Sequence, residues 1–110
     1  MPKLRESTTA VLVRGERVAD GYATEPYEAG WASEALVFAL GMDDAAGGSL
    51  HLQISPDGMN WVDEGLAVEL PAARSVSFGR IAHFGNWLRF QARLPDGAER
   101  RITLTLHLKG

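Results

Sequence analysis

The stretch LRFQARLPDGAERRITLTLHLKG, residues 88–110, decides the fold class. Apolar residues fill every second position in both of its halves: Leu88, Phe90, Ala92 and Leu94, then Ile102, Leu104, Leu106 and Leu108. A period of two is typical of a strand with one buried face and one wet face. Between the halves, proline presets φ while Asp96 and Gly97 supply turn chemistry. The stretch therefore predicts two strands joined as an antiparallel hairpin.

The same pattern continues upstream. SLHLQIS (49–55) alternates in the same way and ends in a second Pro-Asp-Gly turn. EALVFAL (34–40) is apolar on both sides, which fits a central strand or a short helix, and Val37 and Phe38 favour the strand. Further short strands are predicted at four places: TTAVLV (8–13), RVADGYAT (17–24), WVDEG with LAVEL (61–70) and SVSF (75–78).

About seven or eight short strands separated by Gly, Pro or Asp turns leave no room for crossover helices. The sequence thus predicts an all-β antiparallel β-sandwich, jelly-roll-like, as a single domain over residues 7–110. Residues 1–6 contain too few apolar side chains to pack alone. We predict that they form an N-terminal arm, which becomes ordered against a neighbouring molecule.

Composition narrows the classes of function. The chain has 110 residues and no cysteine, so neither disulfides nor thiolate metal sites hold it together. No apolar run near the N-terminus is long enough for a signal peptide or a membrane span, so a cytoplasmic location is expected. The net charge of −3 argues against a general nucleic-acid binder. No nucleic-acid or membrane partner is predicted.

The charge is unevenly distributed along the chain. Residues 16–69 contain eleven acidic residues against the single base Arg17, a charge of −10, whereas residues 70–110 carry +5. Two interpretations follow. The segments can neighbour each other in one fold and neutralise locally. Alternatively, faces of opposite sign meet between subunits, where complementary charge sets register and partner choice.

No catalytic constellation is visible. His51, His83 and His107 lack metal-ligand spacing, and solvent-facing strand positions explain them. The acidic pairs Asp43-Asp44 and Asp63-Glu64 lack the spacing of a calcium loop and are expected to be solvated. No nucleophile elbow or phosphate loop occurs. The prediction is therefore no enzyme, no cofactor and no metal.

The loop SPDGMNW, residues 55–61, raises the question of a binding site. Asp57 and Gly58 are predicted turn makers, and Gly58 is expected to have φ > 0. Asn60 is expected to hold the loop through side-chain to backbone bonding, and Trp61 to cap the core. Trp87 shares its predicted face with Arg89, Gln91 and Arg93, a face that could stack on a planar partner.

Two short motifs carry a family resemblance. The turn S-x-D-G-x-N-W (Ser55 to Trp61) is followed by a G-x-W-x-R-F strand, at Gly85, Trp87, Arg89 and Phe90, and by the closing strands. Over residues 50–108 this arrangement resembles small β-sandwich accessory proteins of tailed-phage virions, including head-decoration proteins. The turn also looks like turns of discoidin-type carbohydrate-binding sandwiches, and it is one residue shorter than the sialidase Asp-box.

The virion resemblance implies a structural role, and the carbohydrate-binding resemblance implies ligand recognition. The leading hypothesis is a non-enzymatic assembly protein of a phage-like virion, such as a capsid-decoration subunit. Its partners are then further copies of itself and a capsid-like assembly, and it is found in the virion, or otherwise in the cytoplasm. The predicted interface residues are Lys3, Arg5, Trp87, Arg89 and Arg93. The alternative is a carbohydrate-binding module that uses an exposed Trp61 or Trp87.

Overall fold

The computed structural model describes residues 6–45 and 47–110, and these consist of strands and connecting turns. The eight strands are β1 (Ser7–Ala19), β2 (Tyr27–Glu28), β3 (Glu34–Gly41), β4 (Ser49–Ser55), β5 (Val62–Glu69), β6 (Val76–Ala82), β7 (Trp87–Arg93) and β8 (Glu99–Lys109). A first sheet has the order β1-β8-β3-β6, and a second has the order β2-β7-β4-β5. The predicted all-β sandwich is confirmed.

The strand order is that of a jelly roll. Each strand of the first half pairs antiparallel with its counterpart in the second half: β1 with β8, β2 with β7, β3 with β6, and β4 with β5. Such pairing arises when one long antiparallel ribbon rolls up, so that successive strand pairs fall in alternate sheets. Among these strands, β4 and β5 are the one consecutive pair within a sheet, joined by residues 56–61.

The predicted hairpin between residues 88–94 and 102–108 is wrong, because β7 and β8 lie in different sheets. The turn itself forms: the Ala98 N–H donates to the Pro95 carbonyl at 2.9 Å, and Gly97 has a φ of 74°. Beyond it the chain crosses the sandwich, so that the two apolar faces meet across the core. Alternation identifies the buried face of a strand, but it does not say which strand lies beside it.

Two other predicted boundaries change. RVADGYAT is not a separate strand, because β1 continues through Ala19 and turns where the Tyr22 N–H donates to the Ala19 carbonyl at 3.1 Å. Two register shifts against β8 let β1 keep pairing over 13 residues. WVDEG and LAVEL contribute to one strand, β5, with a register shift against β4.

The strand prediction for EALVFAL is confirmed as β3, and the SVSF strand extends to Ala82 as β6. In β3 the smaller set, Ala35, Val37 and Ala39, is buried, so the larger Leu36, Phe38 and Leu40 lie on the outer face. In β6 the inward positions are Gly79 and Ile81, and Val76 and Phe78 face outward. Both strands therefore place apolar side chains outside the core.

The core lies between the two sheets. The β8 residues Ile102, Leu104, Leu106 and Leu108 are completely buried, as are Leu52, Leu88 and Phe90 of the second sheet. Each such side chain contributes about 1.5–3 kcal/mol relative to exposure. The ends of the described chain also meet, since the Gly110 N–H donates to the Glu6 carbonyl at 2.9 Å. The remainder of the predicted arm, with Lys3 and Arg5, lies outside the described residues.

Candidate interaction surfaces

The outer face of the second sheet carries a connected set of polar side chains, here called the polar face: His51, Gln53, Asp63, Arg89, Gln91 and Arg93. Strand register brings them together, because β4 pairs Gln53 with Arg89 on one side and with Asp63 on the other. The Gln53 amide donates to Asp63 at 3.0 Å, and Arg89 Nε donates to Gln53 at 2.8 Å. Gln53 is only 8% exposed, and these bonds compensate for its burial.

Arg93 and Asp63 form the ion pair of this face. One terminal nitrogen of Arg93 donates to both Asp63 oxygens, at 2.8 and 2.7 Å. Hydrogen bonds from Arg93 and then Gln53 hold the pKa of Asp63 below its usual range. A second ion pair joins Arg100 to Asp43 at 3.0 Å. Both pairs link the acidic segment to the basic one within the chain, which supports the local-neutralisation interpretation of the charge pattern.

Trp61 and Trp87 lie at the polar face, and both rings are partly covered. The Arg89 guanidinium carbon lies 4.4 Å from the ring centroid of Trp61, a cation–π arrangement. Trp61 is therefore placed beside Arg89 on the outer face and does not cap the core. A Cβ at Gly58 would lie 3.4 Å from the Trp87 indole, so the 55–61 turn packs against that ring. The predicted interface residues Trp87, Arg89 and Arg93 all project from β7 on this face.

The 55–61 turn is held by its own side chains. Ser55 Oγ accepts the Gly58 N–H at 2.8 Å, and Gly58 has a φ of 78°, the left-handed conformation expected for it. The Asp57 carboxylate accepts the backbone N–H groups of Asn60 and Met59 at 2.8 and 2.9 Å. The Asn60 side chain bonds to the Asp57 carboxylate at 2.6 Å, whereas a bond to backbone was predicted. These bonds, led by the Asn60 and Met59 N–H groups, lower the pKa of Asp57 strongly.

Arg100 is a buried cation that closes one end of the sandwich. It is 1% exposed, and besides Asp43 it donates to the carbonyls of Gly47, Leu70 and Pro71. Burial alone would raise the pKa of Asp43, but hydrogen bonds from the Arg101 N–H and from Arg100 outweigh it and lower that pKa. The cluster links the β3–β4 and β5–β6 connections to β8, which is a structural role.

The outer face of the first sheet is apolar along β3 and β6, whereas β8 presents polar residues there, among them Thr103, Thr105 and His107. We call Val11, Leu36, Phe38, Leu40, Val76 and Phe78 the apolar face. Strand register aligns Val11, Thr105, Phe38 and Phe78 in one row across all four strands. The Phe38 and Phe78 ring centroids are 6.1 Å apart. Val76 is 60% exposed and Phe78 is 52% exposed, so the row is open to solvent at its β6 end.

A shallow groove of about 400 Å³ continues this face between β6 and β8, lined by Glu34, Leu36, Arg80, His107 and Lys109 among others. Arg80 lies over the Phe78 ring at 5.1 Å, and the His107 ring meets Phe38 edge-on at 5.0 Å. Within residues 6–45 and 47–110, no three His, Asp or Glu side chains converge as metal ligands. No helix suitable for crossing a membrane is found in those residues either.

Sequence reasoning missed the apolar face and the Arg100 cluster. A signal for the first was present, because EALVFAL is apolar at consecutive positions and one of its faces has to point away from the core. For Arg100 the alternation of β8 was a signal, because it places Arg100 on the same face as the buried Ile102 and places Arg101 on the other face. Its partners could not be predicted, because they come from the β3–β4 and β5–β6 connections, which are distant in sequence.

Comparison with known proteins gives a fold likeness. The crystal structure of the SPBc2 prophage-derived protein YomS matches with a TM-score of 0.66 at 9% sequence identity. The match covers 100% of this chain and 98% of that chain. No protein-family model matches the sequence. No curated protein matches it either. At this identity the likeness shows a shared fold, and that fold is known in a prophage-derived protein.

Proposed function

We propose that this protein is a non-enzymatic structural subunit that assembles onto a phage-like particle. The observation that carries the proposal is the end-to-end fold likeness to a prophage-derived protein of nearly the same length. Jelly rolls are recurrent building units of viral capsids.

The apolar face gives this role a physical basis. Large exposed apolar patches on soluble proteins often mark contact surfaces. Here the apolar side chains lie on a four-stranded sheet, and the outermost residues Val76 and Phe78 are more than half exposed. Protein–protein contact through such a face removes apolar area from water, which favours assembly.

Within this role, an accessory or capsid-decoration subunit of the virion is the specific form we propose. The protein then contacts further copies of itself and a capsid-like partner, and it moves from the host cytoplasm into the particle. The predicted arm with Lys3 and Arg5, and the β7 residues Trp87, Arg89 and Arg93, are additional contact candidates.

The carbohydrate-binding alternative receives less support. A sugar-binding tryptophan has to offer a free ring face for stacking. Trp61 has Arg89 over its ring, and the Trp87 ring packs against Gly58. Both indoles therefore have part of their surface occupied, and the neighbouring polar groups are hydrogen-bonded to one another.

The test is whether the protein travels with particles. Particles are sedimented from cultures of the organism that encodes the protein, before and after DNA damage, and an antibody raised against the purified chain is used for immunoblotting. We expect the signal to co-sediment with particles and to be released by particle disruption. A protein that is expressed but stays in the supernatant of particle-rich cultures would contradict the proposal, and binding on a glycan array would favour the alternative.

A further inference from the structure

The edges of the two sheets differ in how they are protected against pairing with another chain. Native edge strands are usually blunted by bulges, charges, proline or shortness. β2 has two residues, β1 contains two register shifts, and β5 combines a register shift with Asp63, Glu64 and Glu69. β6 has seven residues, pairs with β3 in unbroken register, and contains neither proline nor an acidic residue. With Arg80 as its one charged side chain, it is the least protected edge among the described strands.

The free backbone groups of β6 belong to its exposed apolar residues. In an antiparallel pair, the residues of one strand point their N–H and C=O alternately toward and away from the partner. The Gly41 N–H donates to the Ser75 carbonyl, which fixes the phase of the β3–β6 ladder. Ser77, Gly79 and Ile81 therefore bond to β3. Val76, Phe78 and Arg80 direct their N–H and C=O groups to the open edge.

We propose that this edge binds a second copy of the chain, with β6 pairing antiparallel to β6 of the partner around a two-fold axis at Phe78. The inference deepens the proposed function, because it names one of the partners in the assembly. The two first sheets would join into one eight-stranded sheet. Phe78 of both copies would meet at the seam, with Phe38 behind each, giving a row of four phenylalanine rings across the dimer.

The edge is complementary to itself in its apolar residues, and charge sets the register. A second copy brings the same exposed Val76 and Phe78 to the apolar edge, and Arg80 is the single charged side chain of each β6 strand. With the axis at Phe78, each Arg80 lies opposite Val76 of the other copy. The two cations are then four residues apart along the strand, roughly 13 Å. A register centred on Gly79 would place them on the diagonal at about 7–8 Å, where like charges repel.

Light scattering after size-exclusion chromatography, from micromolar to millimolar concentration, tests the inference. We expect a monomer–dimer equilibrium that Phe78→Lys shifts to monomer. The matched control is Val11→Lys, which adds the same charge on the same outer face at the opposite edge of the sheet, and it should leave dimerisation unchanged. A wild type that is monomeric at every concentration would overturn the inference, as would a dimer indifferent to Phe78→Lys.

A second pair of variants covers the case in which Phe78→Lys does not fold. Arg80→Pro removes an N–H at the open edge, whereas Arg80→Thr removes the same charge and keeps the N–H. We expect the proline variant to be monomeric and the threonine variant to dimerise. Equal dimerisation of the two would contradict edge pairing.

The register is tested by cross-linking, because the chain has no native cysteine. Val76→Cys and Arg80→Cys proteins, mixed and oxidised, should form a mixed disulfide, since opposite residues at about 5.5 Å between Cα atoms are within reach. Each variant alone should not cross-link. Rapid cross-linking of either variant alone would refute the Phe78-centred register.

These results are separable from the proposed function. A protein that enters particles but stays monomeric in solution keeps the function and refutes the dimer. A protein that dimerises through β6 but never sediments with particles keeps the dimer and refutes the proposed function.

Discussion

Gly58 lies against the indole of Trp87: a Cβ built on the glycine would be 3.4 Å from two ring carbons. The contact connects the turn between β4 and β5 to β7, the strand on the other side of β4. A second Pro-Asp-Gly turn contains Gly97, which has a similar φ of 74° but no atom within 4 Å of its built Cβ. The two glycines form a matched pair, because backbone strain is common to both and packing is present in only one.

We expect Gly58→Ala and Gly97→Ala each to cost about 1 kcal/mol, because an alanine Cβ disfavours positive φ. Gly58→Val should cost clearly more than Gly97→Val, since its branched methyl groups meet the indole. Urea denaturation followed by tryptophan fluorescence and far-ultraviolet circular dichroism measures both. Equal losses for the two valine variants would show that the Trp87 contact does not constrain the turn.

Arg100 and Arg101 provide a second matched pair, adjacent in sequence and opposite in burial. Replacing Arg100 by methionine leaves Asp43 without its ion pair and three carbonyls without a donor. We expect a loss of about 3 kcal/mol or more in unfolding free energy. Arg101→Met removes a bond from Nε to the Gly15 carbonyl and should cost no more than about 1 kcal/mol. Similar losses of unfolding free energy for both variants would mean that the Arg100 cluster does not stabilise the fold.

Acid should destabilise the protein through its hydrogen-bonded carboxylates. The pKa values of Asp43, Asp57 and Asp63 lie below the ordinary value of 3.8 in the folded state. A lowered folded pKa gives stability that is present above the unfolded value and lost as pH falls below it. We therefore expect constant stability from neutral pH to about pH 5, and a steady loss below about pH 4.

Asp57→Asn tests the share of one carboxylate in that loss. The amide oxygen can still accept N–H groups, but its hydrogen bonds are neutral and do not titrate. The difference in stability between wild type and variant should therefore shrink as pH falls from 5 to 2. Asp96→Asn is the control, because the Asp96 carboxylate accepts no hydrogen bond from the described residues. A pH-independent difference for Asp57→Asn would contradict the assignment.

The sequence predicted which residues of β7 and β8 are buried, but not which strands pair with one another in a sheet. Period two at residues 88–94 and 102–108 correctly marked buried and wet faces, since burial depends on local pattern. The pairing of β8 with β1 and β3 depends on contacts between residues far apart in sequence, which no local motif encodes. The tight turn at residues 95–98 does not distinguish a hairpin from a crossing between sheets, because the same turn chemistry serves both.

The same difference between local pattern and long-range contact applies to the candidate surfaces. Arg89 and Arg93 could be placed on one face with Trp87 from alternation alone. Their partners Gln53, Trp61 and Asp63 come from other strands, so the sequence could not show that these arginines are already engaged within the chain. At SVSF the sequence predicts a short strand but not its buried face, and the structure places Gly79 and Ile81 inward and Val76 and Phe78 outward.

The engagement of Arg93 changes how its predicted interface role has to be tested. Arg93→Glu would place two carboxylates side by side, so weaker assembly of that variant could reflect a disturbed polar face. The combined swap Arg93→Glu with Asp63→Arg restores opposite charges at the same two positions. Since both side chains are 40–46% exposed, the pair contributes only about 0–1 kcal/mol, and less at high salt.

We expect Arg93→Glu to lower the unfolding free energy modestly at low salt, and the swap to recover most of it. Particle co-sedimentation then separates the roles. If Arg93 contacts a partner, the swap variant should be stable and yet bind particles less well, because the charge presented at each position is inverted. If the swap variant binds particles as the wild type does, Arg93 acts within the chain alone, and the apolar face remains the surface for assembly.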